Sequence, residues 1–233
     1  MIDRKAFFDT VRAAPFSGKL TPSQVSGMEA ILGEWERRGL TDLRQLAYML
    51  ATAFHETAFK MQPITEYGNK AYFNKYDGRK DLGNTVPGDG YRFRGRGYVQ
   101  LTGRRNYQLA STKLGVDLVA NPERALEPII AAQIMFVGMA EGWFTGKKLF
   151  DYFNGKTDWV NARRIINGTD KAETIASYAR AFHGALTKAQ SADPVPPPPV
   201  LPVPDPLQPD MPDGETGFWK RVFKGVGGAD SLK

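Results

Sequence analysis

Two glutamates in this chain are placed as groups that could move protons. His55-Glu56-Thr57 follows Phe54 and precedes Ala58 and Phe59, so Glu56 has apolar neighbours along the chain. Partial desolvation favours the neutral, protonated form of a carboxyl group, and a protonated carboxyl is what a general acid requires. The competing reading is a surface glutamate paired with a base such as Lys60. The run is not the zinc-protease HExxH motif, because position 59 is Phe. Beyond Pro63 comes Glu66 in a loop. A second carboxylate opposite the first would complete the acid and base of glycoside hydrolysis, although most glutamate pairs in a sequence are solvated charges.

The segment 91–102, YRFRGRGYVQLT, is more specific. Arg92, Arg94, Arg96, Arg104 and Arg105 alternate with aromatics and glycines. One reading is a nucleic-acid surface with stacking aromatics. The other is an ordered loop whose guanidinium groups hold carboxylates in place while Gln100 and Thr102 face a cleft. Gly95 and Gly97, on either side of Arg96, suit backbone bends in such a loop.

Helices must carry these residues. Residues 3–14 and 21–38 read as helices, the second opened by Thr21-Pro22, a cap followed by proline in the first turn. Residues 41–59 place Leu43, Leu46, Ala47, Leu50, Ala51 and Phe54 on one face, which predicts a buried helix ending near Glu56. Residues 106–114, 128–142, 149–153, 160–166 and 171–188 also read as helical. Residues 63–97 are rich in glycine, and a loop of that length in a compact domain is usually functional. Within 91–101 a short strand is expected, because Tyr91, Phe93, Val99 and Leu101 share a parity. The fold class that follows is mostly α: one domain over residues 1–190 with a glycine-rich loop insertion.

A different composition begins at residue 191. Ten of the sixteen prolines fall between Pro194 and Pro212. Pro196–Pro199 has no backbone donors, so 191–213 reads as an extended linker. In the tail, 214–233, Phe218, Trp219, Val222, Phe223 and Val226 are spaced for one helical face, with Lys220, Arg221 and Lys224 elsewhere. Such a short cationic helix could touch an anionic membrane surface, or the tail could dock on the body or stay disordered.

Charge and composition exclude several function classes. The chain has 233 residues, no cysteine and two histidines, so disulfides, thiolate nucleophiles and Cys-type or His-rich metal sites are excluded. The charge-free apolar stretch from Pro128 to Ala140 is shorter than the ~18 residues of a membrane span. Residues 1–16 carry Asp3, Arg4, Lys5, Asp9 and Arg12, which leaves no apolar signal-peptide centre. Synthesis in the cytoplasm is expected, with action on the cell wall or periplasm only after membrane permeabilisation. Residues 191–233 hold six acids and four bases, which leaves 27 bases and 19 acids in residues 1–190. That basic body suits a polyanionic partner such as nucleic acid, an anionic membrane or a bacterial wall polymer, or it serves solubility alone.

Taken in order, His55-Glu56-Thr57, Gly95-Arg96-Gly97-Tyr98-Val99-Gln100-Leu101-Thr102, Asn106-Tyr107, Asn121-Pro122 and Ile165-Ile166-Asn167-Gly168 resemble the family 19 glycoside hydrolases. These are chitinases and the phage or prophage endolysins similar to them, and the likeness runs from about residue 43 to 185. The close spacing of Glu56 and Glu66, the loop Gly-Asp-Gly-Tyr-Arg-Phe-Arg-Gly-Arg-Gly and the run 143–148 favour the phage type. The resemblance implies a lysozyme-like helical hydrolase of β-1,4 bonds between amino sugars. It implies Glu56 as general acid and Glu66 as general base, with Thr102 helping to hold the attacking water. The neighbours Tyr67-Gly68-Asn69 depart from the plant pattern, which loosens the assignment of Glu66. Gln100, Asn106, Asn167 and Tyr98 are implied as cleft residues, and Arg180 as an arginine near the acidic pair on a looser motif.

No metal or organic cofactor is expected, since proton transfer and positioning supply the catalysis. The expected substrate is bacterial peptidoglycan, or alternatively chitin, acted on by a monomer. A catalytically silent wall-binding or virion module on the same fold is a rival, against which both carboxylates are present. A nucleic-acid partner is not expected, because the arginines fit the loop of the family resembled.

Overall fold

The structure, a computed structural model, describes residues 1–190. The expected linker 191–213 and tail 214–233 lie outside the described residues.

The first three helices begin where capping chemistry allows. α1, Arg4–Ala13, is capped by the Asp3 side chain, which accepts from the Ala6 N–H. α2, Pro22–Arg37, opens with a reciprocal capping box between Thr21 and Gln24, and Pro22 fills the first position. α3, Leu43–Glu56, is capped by Asp42. Every residue from Leu46 to Phe54 is buried, which marks α3 as a central helix wrapped on all sides rather than an amphipathic surface helix. Two short elements, α4 at Lys70–Phe73 and α5 at Asp89–Arg92, lie in the glycine-rich insertion. α6, Arg104–Leu114, and α7, Pro128–Glu141, end at Gly115 and Gly142, whose φ values of 67° and 82° are those of left-handed C-terminal caps. α8 is the single turn Phe150–Phe153, and α9 spans Ala172–Ala189.

The core forms where α3 packs along α9, α1 packs on α9, and α2 packs on α7. Edge-to-face rings join these layers: Phe54 of α3 meets Phe16 at 4.9 Å and Tyr178 of α9 at 4.9 Å between centroids. The start of the chain meets the end of α9, with the Asp3 N–H donating to the Ala189 carbonyl at 2.7 Å. No helix among the described residues is long and apolar enough to cross a membrane.

The expected strand over 91–101 takes a different form. Its first part is the helical turn α5, and only Arg96–Gly97 is strand (β2), paired antiparallel with β1, Ile64–Thr65. The chain then reverses tightly, so that the Arg96 and Leu101 backbones exchange hydrogen bonds of 3.2 and 2.9 Å. Gly97 at φ 89° and Gln100 at φ 54° make the reversal. The shared parity of Phe93, Val99 and Leu101 therefore reflects burial from a turn and a hairpin-like loop, not one continuous strand.

Polar side chains inside the insertion do the work that regular structure does elsewhere. Asp77 accepts from the Gly88 and Gly90 N–H groups, at 3.0 and 2.7 Å. Buried Asn84 donates to the Tyr76 carbonyl and accepts from the Arg104 N–H. Asp89, 2% exposed, receives the Arg104 guanidinium, with Nε at 2.8 Å. Gly90 is forced by contact, since a Cβ there would lie 2.2 Å from the Phe73 carbonyl oxygen. These ties fix the insertion around Tyr76 and the Gly88–Gly90 turn.

Candidate active site

Glu56 is the last residue of α3, and the turn beyond it is held by Thr57. The Thr57 hydroxyl donates to the Ala53 carbonyl at 2.7 Å and accepts from the Met61 N–H at 3.0 Å. Ala58, Phe59 and Met61 all have positive φ, of 49°, 68° and 53°. Left-handed conformations are uncommon for residues with a Cβ and persist where surrounding structure over-determines them. Here the surroundings include α2: a Cβ on Gly27 would lie 1.5 Å from the Met61 carbonyl oxygen, so only glycine permits that approach. This turn swings the chain back into β1 and presents Glu66 just after it.

Glu56 and Glu66 line one hollow of about 430 Å³ together with His55, Tyr76, Gln100 and Thr102. Glu66 is bound to the backbone of Gly95 twice: its N–H donates to the Gly95 carbonyl at 2.8 Å, and its Oε2 accepts from the Gly95 N–H at 3.2 Å. The Tyr76 hydroxyl donates to Oε1 at 3.3 Å. Burial and the Glu66 charge both raise the Tyr76 pKa, so the phenol keeps its proton and stays a donor. A Cβ at residue 95 would lie 2.9 Å from Gln100 Oε1 and 3.2 Å from Glu66 Oε2. Gly95 is thus needed for close approach rather than for a special φ.

The other expected residues divide clearly. Thr102 and Gln100 lie on the wall of the hollow. The Thr102 hydroxyl donates to the Gln100 carbonyl at 2.8 Å, which leaves its lone pairs as acceptors for a water. Gln100 Nε2 donates to the Ile64 and Gly97 carbonyls, tying β1 to the reversal. Asn106 does not line the hollow; it donates to the Thr102 carbonyl at 2.9 Å and so braces Thr102 from behind. Asn167 is exposed and lies outside the hollow. Tyr98 is wholly buried, its hydroxyl on the Gly27 carbonyl at 3.1 Å. A side chain sealed in the core cannot touch substrate, and Tyr98 instead ties the Arg-rich loop to α2.

Arg180 is exposed on α9 and forms no ion pair with either glutamate. The arginine on the acidic pair is Arg163, from the 3-10 turn Asn161–Ile165. Its Nη1 donates to Glu56 Oε1 at 2.6 Å and its Nε to the Asp170 carbonyl at 3.1 Å. Arg163 is 4% exposed as a residue and the Glu56 side chain 17%. Glu56 therefore does pair with a base, but with one far along the chain and buried rather than with Lys60, whose Nζ donates to Tyr67. His55 beside it is held below its ordinary pKa by burial, so it is neutral at neutral pH.

Of the arginines of 91–105, Arg96 and Arg104 fit the ordered-loop reading. Arg96, 1% exposed, donates to Glu123 at 2.6 Å and to the Tyr107 hydroxyl at 2.9 Å, while Arg104 holds Asp89.

A scan against family models finds none that matches the chain. A curated glycosyl hydrolase family 19 domain-containing protein of Haemophilus influenzae is 28% identical over 128 residues, covering 43% of this chain and 64% of that protein. The match thus spans less than two thirds of the relative's length. Among solved structures, chitinase C from Streptomyces griseus HUT6037 superposes with a TM-score of 0.59 at 19% identity, over 82% of this chain and 79% of that one. A bacterial family 19 chitinase superposes with a TM-score of 0.60 at 20% identity, over 79% and 94%. The mostly helical fold is that of the family 19 chitinases, and the curated relative is likewise a family 19 protein, in line with the resemblance seen in the sequence.

Proposed function

We propose that the chain is an inverting glycoside hydrolase that cleaves β-1,4 bonds between amino sugars in peptidoglycan, as endolysins do. The observation that carries this reading is the pair of carboxylates on one hollow, with Thr102 and Gln100 on the same wall. Glu56 donates its proton to the glycosidic oxygen as the bond to the anomeric carbon breaks. Glu66 takes a proton from a water that attacks the opposite face, and the Thr102 hydroxyl accepts the water's other hydrogen. Inversion leaves room for that water, with the carboxyl groups about 6.5–9.5 Å apart. Arg163 fixes the Glu56 rotamer, and Tyr76 with Gly95 fixes that of Glu66. Precise positioning of this kind supplies much of the rate in reactions of this class.

The basic body favours an anionic wall polymer as substrate. A second reading, cleavage of chitin, is favoured by the structural relatives, both of which are chitinases. Digestion of purified peptidoglycan and, separately, of chitin oligomers decides between them. New reducing ends on N-acetylmuramic acid are expected. Cleavage of chitin alone would overturn the peptidoglycan reading, and cleavage of neither would overturn both.

Residues 191–213 are proposed as the linker that carries the tail 214–233 to an anionic membrane, where Phe218, Trp219 and Phe223 supply aromatic surface and Lys220, Arg221 and Lys224 supply charge. The full chain should co-sediment with anionic vesicles, less so at high salt, and more than a chain of residues 1–190. Equal sedimentation of the two would remove the membrane role. The action on the wall proposed here follows membrane permeabilisation, by a monomer.

A further inference from the structure

The hollow that holds the two glutamates does not end at them. A second hollow of about 430 Å³ shares Ile64, Glu66 and Tyr67 with it, and carries Tyr91 and Arg94 on its far side. A third, of about 490 Å³, shares Tyr91 and Arg94 with the second. The three follow one another along a single path, from the carboxylates past Tyr67 to a wall of a different character. The first hollow has neither lysine nor arginine among its lining residues. The third is lined by Lys70, Arg92, Arg94, Arg96 and Arg104 against only two acids, Asp89 and Glu123.

The two acids are already engaged. Asp89 takes the Arg104 guanidinium, and Glu123 takes that of Arg96. On this wall Lys70 and Arg92 have no carboxylate partner among the described residues, and Arg94 only shares Glu123 with Arg96, at the longer distance of 3.7 Å. Arg92 Nη2 donates only to the Val119 and Ala120 carbonyls, at 2.9 and 3.1 Å. Arg94 Nη1 donates to the Tyr91 carbonyl at 2.7 Å, its guanidinium lies 4.1 Å from the Tyr91 ring centre, and Glu123 is 3.7 Å away. Carbonyl bonds and ring stacking fix the direction of a guanidinium without neutralising it, and each has five N–H donors in a planar fork suited to carboxylates. These arginines are held in place with donors to spare, on the wall of a groove that starts at the reacting centre.

We propose that this basic arm, formed by Lys70, Arg92 and Arg94, is a carboxylate-recognising subsite that selects glycans bearing acidic side groups over neutral ones. The proposal rests on the peptidoglycan reading for the identity of the ligand, the carboxylates of the peptide stems next to the scissile bond. A neutral chain of amino sugars offers hydroxyl and acetamido oxygens to these donors but no counter-charge, so covering them with it would leave charge unpaired. The arm thereby supplies discrimination that the two glutamates, which act on a bond common to both polymers, cannot.

Retention of the full-length Glu56→Gln protein on insoluble peptidoglycan tests the arm without cleavage. One portion of the peptidoglycan keeps its carboxylates and the other has them converted to amides. The native portion should bind at least about tenfold more tightly, the worth of one charge-assisted hydrogen bond. Adding Arg92→Gln and Arg94→Gln should abolish that preference. Lys70→Glu, at an exposed position with no hydrogen bond to lose, should reduce it even if the arginine variants fold poorly. Arg12→Gln, Lys19→Gln and Lys188→Gln together remove more charge than either arm variant, from surfaces outside the three hollows, and should leave the preference in place. Equal affinity for both portions, a preference insensitive to the arm, or equal loss from the distant substitutions would each overturn the subsite. Displacement by single-stranded DNA as readily as by soluble muropeptides would assign the arm to nucleic acid instead. Muropeptide product analysis reads the hydrolase activity separately, so a protein that cleaves peptidoglycan without the preference retains its function and loses only this subsite.

Discussion

Glu56→Gln is expected to fold as the parent does and to lose activity on peptidoglycan by about 10²- to 10⁴-fold, the range of general acid catalysis. The amide preserves the shape of the carboxyl group and can still accept from Arg163 Nη1, now 2.6 Å from Oε1. It has no proton to give to a leaving oxygen. The change keeps a hydrogen bond from the guanidinium but leaves the buried Arg163 without its counter-charge, so stability should fall by up to about 3–5 kcal/mol. Initial rates on a peptidoglycan suspension, together with a thermal denaturation curve, check both halves. More than about a tenth of the parent rate, with the fold intact, would show that Glu56 is not the acid.

The position of Glu56 was legible because α3 is a long periodic helix whose end coincides with the His-Glu-Thr run. Its partner was not. Arg163 and Glu56 are 107 residues apart, and nothing in local spacing joins them. Flanking apolar residues do not single it out: Arg163 sits between buried Ala162 and Ile165, and only the fold shows that its guanidinium is buried and so demands an acid. Arg180, with buried Ala179 and Phe182 in the same positions, nevertheless stands on the solvent side of α9. Tyr98 misled for the opposite reason. It lies inside the recognisable run 95–102, but the reversal at Gly97 and Gln100 turns it inward to Gly27 while Gln100 and Thr102 reach the hollow. Loop conformation decides which members of a motif face substrate, and parity along a sequence cannot supply it. The insertion was readable as a functional loop from its glycines, but its bracing through Asp77, Asn84 and Asp89 joins residues by turn geometry that composition does not encode.

Removing Glu66 should be as damaging as removing Glu56, yet open to a chemical rescue that Glu56 variants lack. In the parent, Glu66 receives the Tyr76 hydroxyl and the Gly95 N–H on its two oxygens. Glu66→Gln can satisfy only one of those donors with an oxygen, and its amide cannot take a proton from water, so activity should fall by about 10²-fold or more. Glu66→Ala removes the side chain altogether and leaves space where the attacking water would lie. Azide entering that space is already anionic and needs no base. It attacks the anomeric carbon while Glu56 still protonates the departing oxygen, and the product is a glycosyl azide of inverted configuration. The rate of Glu66→Ala should therefore climb with azide concentration. Glu56→Gln should not respond, because what it lacks is a proton for the leaving group rather than a nucleophile. Rates and the anomeric configuration of the product, read by proton NMR, make the measurement. Absence of rescue in Glu66→Ala would remove Glu66 from the role of base, and a rescued product of retained configuration would place a covalent intermediate on the pathway instead of a single displacement.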